Sequence, residues 1–295
     1  MSIAQTDAPV TIDTQTFRKP RPRWYVSILR NYRLLAGASI VLIVSLLAIL
    51  APVIASSDPN YSNFDNLLAG PSWSHIFGSD DLGRDVFARV LYGCRVSMVV
   101  AIASVAVALI AGLPLGLIAG YFGSTIDNLI MRTLDLLMAF PPILLAITLI
   151  AVYGTSTTTT IFALGFIYVP IFARVLRSAV ITVRNEEYIE AAKAMGSRPL
   201  RIMLVHALPN SLGPLIVQAS ISMGIAILIE AALSFIGLGT QPPDPSLGSM
   251  LAEGRGFMEE APWVVIYPGL AIMIAVLGFN LLGDGLKDSL DSDRH

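Results

Sequence analysis

The chain alternates between long apolar stretches and shorter polar ones. Six of the apolar stretches reach or approach the about 20 residues that a helix needs to cross a bilayer. They cover roughly residues 34–55, 96–120, 129–152, 158–181, 211–236 and 263–283. The pattern therefore predicts an all-α, polytopic membrane protein with six transmembrane helices.

Two of the six predicted spans contain residues that interrupt them. Pro141 and Pro142 break the third span near mid-membrane, and such breaks are tolerated where they face protein or a cavity. The apolar run of the fourth span ends at Arg174, so Arg174 and Arg177 are expected to snorkel towards the interface. The break in the third span is a candidate element of a pathway through the membrane.

Composition supports the membrane assignment and excludes several other classes of protein. Hydrophobic residues make up 55% and charged residues 14% of the chain, against about 45–50% and about 25% in soluble domains. The net charge of −2 gives no sign of nucleic-acid binding. One cysteine, Cys94, and three histidines far apart in sequence predict no disulfide within the chain and no metal site.

Lysine and arginine are distributed unevenly between the two predicted sides of the membrane. Six precede the first span, six lie in or beside the fourth connection, and two lie in the tail, against four in the opposite loops. Cytoplasmic segments carry this excess, so both termini and the fourth connection are predicted to be cytoplasmic. The sequence "VIASS" loosely resembles a signal-peptidase site, but the preceding 33 residues and the long apolar core favour an uncleaved anchor.

These features divide the chain into three parts. Residues 1–33 are a cytoplasmic segment that we expect to be largely disordered, 34–285 are the transmembrane domain, and 286–295 are a cytoplasmic tail. Two loops, 57–95 and 237–262, face outwards. Three prolines keep the start of the second loop out of helix, whereas "SLGSMLAEG" is expected to form a short helix.

A charged stretch between two spans, "EEYIEAAKAMGSRPLRIMLVHALPN" at 186–210, has the residues of two short helices. Gly196 follows good helix formers where a left-handed cap belongs, and Ser197 and Pro199 suit the start of a second helix. We expect that helix to end before Pro209. The first helix offers an apolar side on which we place Tyr188, Ile189, Ala191, Ala192 and Met195.

The physics of this apolar side leaves two interpretations open. Either the first helix lies on the lipid surface as a linker, or it inserts into a groove on a soluble partner.

The same stretch resembles the EAA loop of permease subunits in binding-protein-dependent ABC importers. The family pattern reads E-A-A, three residues, G, nine residues, I, one residue, L-P, and His206 stands here where the pattern has Ile. An amphipathic His suits an apolar interface position, so the departure does not change the assignment. The matching positions are Glu190, Ala191, Ala192, Gly196, Leu208 and Pro209. We call residues 186–210 the EAA loop.

Further blocks, from "FGSDDLGRDVFARVLYGCRVS" to "PGLAIMIAVLGFNLLGDGLKDSLD", are similar to the second permease subunit of the peptide/nickel branch. The resemblance implies a type I importer fold in the bacterial inner membrane. It also implies a homologous second permease, two ATPase subunits that dock on the EAA loops, and an extracytoplasmic solute-binding protein. The sequence has no G-x-x-x-x-G-K-[ST] loop, so ATP and Mg are expected on the ATPases, and no cofactor on this chain.

Charged residues within the spans have two interpretations each. Arg132 and Asp135 either neutralise each other as an i,i+3 pair or contact a zwitterionic substrate. Glu230 either lines the pathway, where it would meet an amino group, or holds a hydrogen bond to another helix. In the outer loop, Asp80 and Asp85, with Asp81, suit the first turn of an interfacial helix better than a metal site.

Small residues in the second span indicate close helix packing. Gly112, Gly116 and Gly120 form a doubled G-x-x-x-G, a spacing that lets two helix backbones approach each other. Packing is favoured here over a role in the pathway.

Two functional alternatives to an importer subunit are less well supported. A secondary transporter or channel that acts alone explains the intramembrane charges but not the EAA loop. A membrane-embedded enzyme lacks a paired His, Ser–Lys or double-Asp arrangement in its spans. The leading hypothesis is an ATP-driven importer subunit whose solute is a short peptide or a related small solute. Dipeptides, longer peptides, glutathione-like compounds, opines and nickel chelates all stay open.

Overall fold

The computed structural model describes residues 31–55 and 57–292. The segment expected to be disordered, 1–33, lies outside this part of the chain except for its last three residues. The described chain is helical, with no β-strand in it, which confirms the all-α prediction. Its α-helices are α1 Tyr32–Ile54, α2 Val86–Phe122, α3 Ser124–Met138, α4 Pro142–Tyr153, α5 Thr157–Arg184, α6 Glu187–Ala194, α7 Pro199–Arg201, α8 Leu208–Asn210, α9 Leu212–Phe235, α10 Leu247–Gly254 and α11 Trp263–Ser292.

Five of these helices are long and apolar enough to cross a membrane, namely α1, α2, α5, α9 and α11. The sixth predicted span is the pair α3 and α4, which are bent by 83° at the Met138–Pro142 break. The interruption expected at Pro141 and Pro142 is therefore present, and it is a sharp corner. Helix α11 continues through Ser292 and so includes most of the segment 286–295 that was predicted to be the cytoplasmic tail.

Helix α2 occupies the centre of the bundle and contacts α1, α5, α9 and α11. Its longest contact is with α5, and α11 packs against both α1 and α9. The buried side chains along these contacts form one continuous apolar core. The other faces of the long helices expose large apolar residues, as expected where lipid or another subunit covers them.

The doubled G-x-x-x-G lies at the contact between α2 and α5. A β-carbon on Gly112 would lie 3.0 Å from the Val169 carbonyl oxygen, and one on Gly116 would overlap the Ala173 carbonyl oxygen. One on Gly120 would lie 2.9 Å from the Arg177 carbonyl oxygen. The two backbones therefore meet at a distance that no side chain at these positions would allow.

The two loops that were predicted to face outwards pack on each other at one end of the bundle. The Trp263 indole donates to the Ser79 carbonyl oxygen at 3.0 Å, and Arg84 Nη2 donates to Glu253 Oε2 at 2.8 Å. Helix α10 forms where "SLGSMLAEG" predicted it and starts with a capping box between Ser246 and Ser249. These contacts tie residues of loop 57–95 to α10 and to the start of α11.

Candidate functional site

The EAA loop turns at Gly196, as the sequence predicted. Gly196 has a φ of +76°, and its N–H donates to the Lys193 carbonyl oxygen at 2.9 Å. The Ser197 N–H donates to the Ala192 carbonyl oxygen at 3.1 Å, which completes a glycine cap on α6. The expected N-cap at Ser197 is wrong, because Arg198 is the residue at the N-cap position of α7. Its side chain makes no capping hydrogen bond.

The second helix of the EAA loop does not end before Pro209. Residues Ile202–Ala207 form a π-helical turn between α7 and α8, and Pro209 lies inside α8. The i→i+5 hydrogen bonds of a π-helical turn widen the helix locally. This lets the helix continue past a proline, which has no N–H to donate. The Asn210 side chain also donates to the His206 carbonyl oxygen at 2.6 Å. The prediction of a break before Pro209 is therefore wrong.

The apolar residues of α6 do not share one free side. Ile189 and Ala192 are 0% and 4% exposed, and they pack with Ile202 against Tyr121 and Val183 of the same chain. They anchor the EAA loop to its own membrane domain.

Met195 lies on a different side of α6 and is 79% exposed. Six residues at about 100° each rotate it by about 120° away from Ile189, which explains the separation. Of the predicted apolar side, Tyr188, Ala191 and Met195 are exposed, and Glu190 is exposed beside them. Partial burial and the nearby Glu186 carboxylate raise the pKa of Tyr188.

The remaining matches to the EAA pattern lie on α8. Leu208 is half-buried and packs against the apolar core, whereas Pro209 is exposed. Pro209 borders a recess of about 590 Å³ that Gln218 and Lys287 also line.

Asp135 does not pair with Arg132. Its carboxylate accepts from Arg174 on α5, while Arg132 is exposed on α3. The i,i+3 pairing is wrong because α5 passes alongside α3 and presents its own arginines.

Arg177 makes a second ion pair with α3, which the sequence analysis missed. Its Nε donates to Asp127 Oδ1, and its Nη2 donates to Asp127 Oδ2 at 2.5 Å. Arg174 and Arg177, which were expected to snorkel towards the interface, are each bound to a carboxylate of α3. The sequence holds no local signal for these partners, since they are separated by 39 and 50 residues.

Glu230 lies inside the bundle and is 1% exposed. Ser97 of α2 donates to its Oε2 at 2.7 Å, and Ser234 of α9 donates to its Oε1 at 2.8 Å. Of the two alternatives, the structure shows the hydrogen bond to another helix. Within the described chain, this side chain has no surface on a pathway.

Arg89, in the first turn of α2, is another buried charge that the sequence analysis missed. It is 2% exposed, its Nη2 lies 3.3 Å from Glu253 Oε2, and its Nε lies 3.6 Å from Asp80 Oδ2. Asp85 caps α2 by accepting from the Ala88 N–H at 3.0 Å. Asp80 and Asp81 therefore precede the helix, and the expectation that they lie in its first turn is wrong.

A recess of about 680 Å³ opens between α2, α4 and α5. Its walls are mainly apolar and aromatic, and they include Val107, Leu149, Tyr153, Phe162 and Phe166. Tyr153 and Phe162 are largely exposed in the single chain. The recess is therefore open on one side in the single chain.

Comparison with known proteins identifies the chain. A family profile described as the binding-protein-dependent transport system inner membrane component matches residues 112–294. The chain belongs to this family. It is accordingly a membrane component of a binding-protein-dependent transport system.

Several relatives match this chain over nearly its whole length. It is 47% identical to the dipeptide transport system permease protein DppC of Alkalihalophilus pseudofirmus, covering 97% of this chain and 94% of that protein. It is 40% identical to the di/tripeptide transport system permease protein DppC of Pseudomonas aeruginosa, covering 98% and 97%. It is 42% identical to the glutathione transport system permease protein GsiD of Pectobacterium atrosepticum, covering 96% and 94%.

A solved structure shares the fold of this inner membrane component. The inward-facing MetNI methionine ABC transporter superposes with a TM-score of 0.55 at 20% identity, over 66% of this chain and 93% of the matched chain. The likeness shows a common arrangement of helices in an ABC importer permease, and it confirms the fold that the EAA resemblance implied.

Proposed function

We propose that this chain is a permease subunit of an ATP-driven importer and that its solute is a short peptide or a closely related compound. Nearly full-length identity of 47% with a protein named as a dipeptide permease carries this proposal. A glutathione permease at 42% identity keeps γ-linked peptides within the same class of solute. A lone secondary transporter or channel is not favoured, because the family acts with a binding protein.

The EAA loop is the surface on which an ATPase subunit docks. Its inner side consists of Ile189 and Ala192, which are buried against the membrane domain of the same chain. Its outer side presents Tyr188, Glu190 and Met195 to the surroundings. This division suits a lever, which must be firmly attached at one side and free for a partner at the other.

The remaining partners follow from what this chain lacks or leaves uncovered. ATP and Mg belong to two ATPase subunits, because the sequence has no phosphate-binding G-x-x-x-x-G-K-[ST] loop. A homologous second permease covers the recess between α2, α4 and α5, and the solute passes between the two permeases. An extracytoplasmic binding protein delivers the solute to the paired outward loops.

We place the chain in the bacterial cytoplasmic membrane with both termini and the EAA loop inside. The excess of lysine and arginine at the N-terminus and around the EAA loop supports this orientation. Of the three candidates for solute contact, Asp135 is paired with Arg174 and Glu230 is buried. Arg132 therefore stays a candidate.

One labelling experiment tests both orientation and docking. Met195→Cys is made in a chain whose buried Cys94 is replaced by Ala, and the complete transporter is exposed to an impermeant thiol reagent. We expect labelling only from the cytoplasmic side, and we expect the attached ATPase to slow it at least about tenfold, as a buried contact does.

Two matched variants control this experiment. Thr155→Cys lies in the exposed α4–α5 connection and should label only from outside, with or without the ATPase. Ala192→Cys is buried within the chain and should label slowly from both sides. Labelling of Met195→Cys from outside, or at one rate with and without the ATPase, contradicts the proposal.

A further inference from the structure

Helix α3 lies between two sharp turns. Only Gly123 separates it from α2, and both Gly123 and Ser124 have positive φ angles, +64° and +50°. A positive φ is unfavourable for Ser, so this connection holds a strained backbone that the surrounding packing must maintain. At its other end, α3 meets α4 at the 83° corner. Helix α3 is thus an arm with a pivot at each end.

Charges hold this arm against α5. Asp127, near the start of α3, is bound by Arg177 through two parallel N–H···O bonds, and Asp135, near its end, is bound by Arg174. Leu134 packs between them against Val169 and Ala173 of α5. The far side of α3 is uncovered, with Leu129 and Leu136 each 69% exposed. The contact with α5 therefore combines a small apolar cluster, to which Ile130, Met131 and Leu137 also belong, with an ion pair at each end.

The Asp127–Arg177 pair lies close to the attachment of the EAA loop. Arg184, the last residue of α5, donates from Nη1 to the Tyr121 carbonyl oxygen at 2.9 Å, directly before the α2–α3 turn. Tyr121 also packs against the buried side of α6, formed by Ile189 and Ala192. A displacement of the EAA loop is therefore delivered to the pivot at the start of α3.

We propose that Asp127 and Arg177 are positioning residues that make α3 follow α5 when the EAA loop moves. A bidentate pair fixes the direction as well as the distance between two helices, which a single apolar contact such as Leu134 does not. Without the pair, only the apolar cluster around Leu134 holds α3 to α5, and the corner with α4 responds less to the ATPase. This inference rests on the proposed docking of the ATPase at the EAA loop.

The test must separate transmission from simple charge neutralisation. Removal of one partner leaves a lone charge in a poorly hydrated place, which disturbs any membrane protein whatever the role of the pair. The decisive variant is therefore the double substitution Asp127→Asn with Arg177→Gln, which leaves no lone charge. Asp127→Glu, which keeps the ion pair, is its matched control.

Each variant is purified with its co-expressed partner subunits, reconstituted in vesicles, and assayed for ATP hydrolysed per solute imported. For the double variant we expect normal assembly and hydrolysis but a ratio raised by about fivefold, within the range of known coupling residues. Asp127→Glu should keep the ratio of ATP hydrolysed to solute imported within about twofold of the parent. The double variant would do the same if the pair had only a structural role. Arg177→Lys keeps the charge but not the two-bond geometry and should give an intermediate ratio.

An unchanged ratio in the double variant overturns the inference. Should that variant fail to accumulate, Arg177→Lys decides, because it retains both charges, and a parental ratio there overturns the inference equally. Failure of the underlying function has a different signature. In that case Met195→Cys of the parent protein is not protected by any ATPase, whatever happens at Asp127.

Discussion

Helix α5 makes two contacts of opposite character on its two sides. Towards α2 it presents backbone, and Gly112, Gly116 and Gly120 let the two helices touch along their length. Towards α3 it presents Arg174 and Arg177, which bind two carboxylates across a narrow apolar strip. The same helix is thus part of a close-packed interface and of a charged one.

The two interfaces differ in how many arrangements they allow. Backbones in direct contact fit in one register, because any shift brings Cα atoms against carbonyl oxygens. The partly exposed Asp135–Arg174 pair can separate and exchange partners or water for a small change in free energy. We infer that α2 and α5 form the fixed frame of the subunit and that α3 follows this frame only while the more buried Asp127–Arg177 pair is intact.

The largest effect is expected where the fixed frame is broken. Gly116→Leu places a side chain into the Ala173 carbonyl group, and the helices must separate along the whole contact. We expect a loss of about 3 kcal/mol or more in stability. The measurements are the amount of chain in the membrane and the thermal unfolding midpoint in detergent.

Gly256→Leu is the matched control for this substitution. Gly256 lies in the turn Arg255–Phe257 between α10 and α11, and a β-carbon there would meet no atom within 4 Å. We expect it to change stability by no more than about 0.5 kcal/mol. A Gly116→Leu chain as stable as this control would show that the α2–α5 contact is not a fixed frame.

An effect of intermediate size is expected at Gly196 of the EAA loop. Gly196 belongs neither to the α2–α5 contact nor to the α3–α5 contact. Its φ of +76° costs a β-branched residue about 1–2 kcal/mol, although no atom lies within 4 Å of an added β-carbon. We expect Gly196→Val to accumulate in the membrane but to raise ATP hydrolysed per solute imported or to release the ATPase.

Gly196→Asn separates the turn from the side chain, because Asn tolerates a left-handed backbone. It should import solute at close to the parental ratio of ATP to solute. Normal import by the Val variant would argue against a rigid turn and against force transmission through the EAA loop.

Contacts within one segment were open to prediction from the sequence. Six apolar runs gave the spans, the adjacent prolines Pro141 and Pro142 gave the break, and Gly196 gave the left-handed turn. These features depend on neighbours in the chain, whose chemistry decides them locally. The glycines of α2 also announced a close contact by their spacing, although not the identity of α5 as the partner.

Contacts between segments were beyond the sequence pattern. Asp135 has an arginine of suitable spacing beside it, yet it binds Arg174 on another helix. Met195 is a different case, because it lies six residues from Ile189 and the rotation per residue alone carries it to another side of α6. For Asp135, by contrast, the partner depends on which helix lies alongside. A single sequence does not encode that choice in any local pattern.

The smallest effect is expected at the exposed end of the charged interface. Arg174 and Asp135 are about half exposed, so water solvates both, and such pairs contribute about 0.2–1 kcal/mol. We expect Asp135→Asn to shift stability within that range and to leave the ratio of ATP to solute within about twofold of the parent. The deeper Asp127–Arg177 pair then carries most of the attachment of α3, since Asp127 is buried and bound by two N–H groups. Thermal unfolding midpoints of Asp135→Asn and of the Asp127→Asn, Arg177→Gln double variant, measured side by side, show which ion pair contributes more to stability. If Asp135→Asn destabilises the chain as much as Gly116→Leu does, α3 belongs to the fixed frame, and the two sides of α5 do not differ in kind.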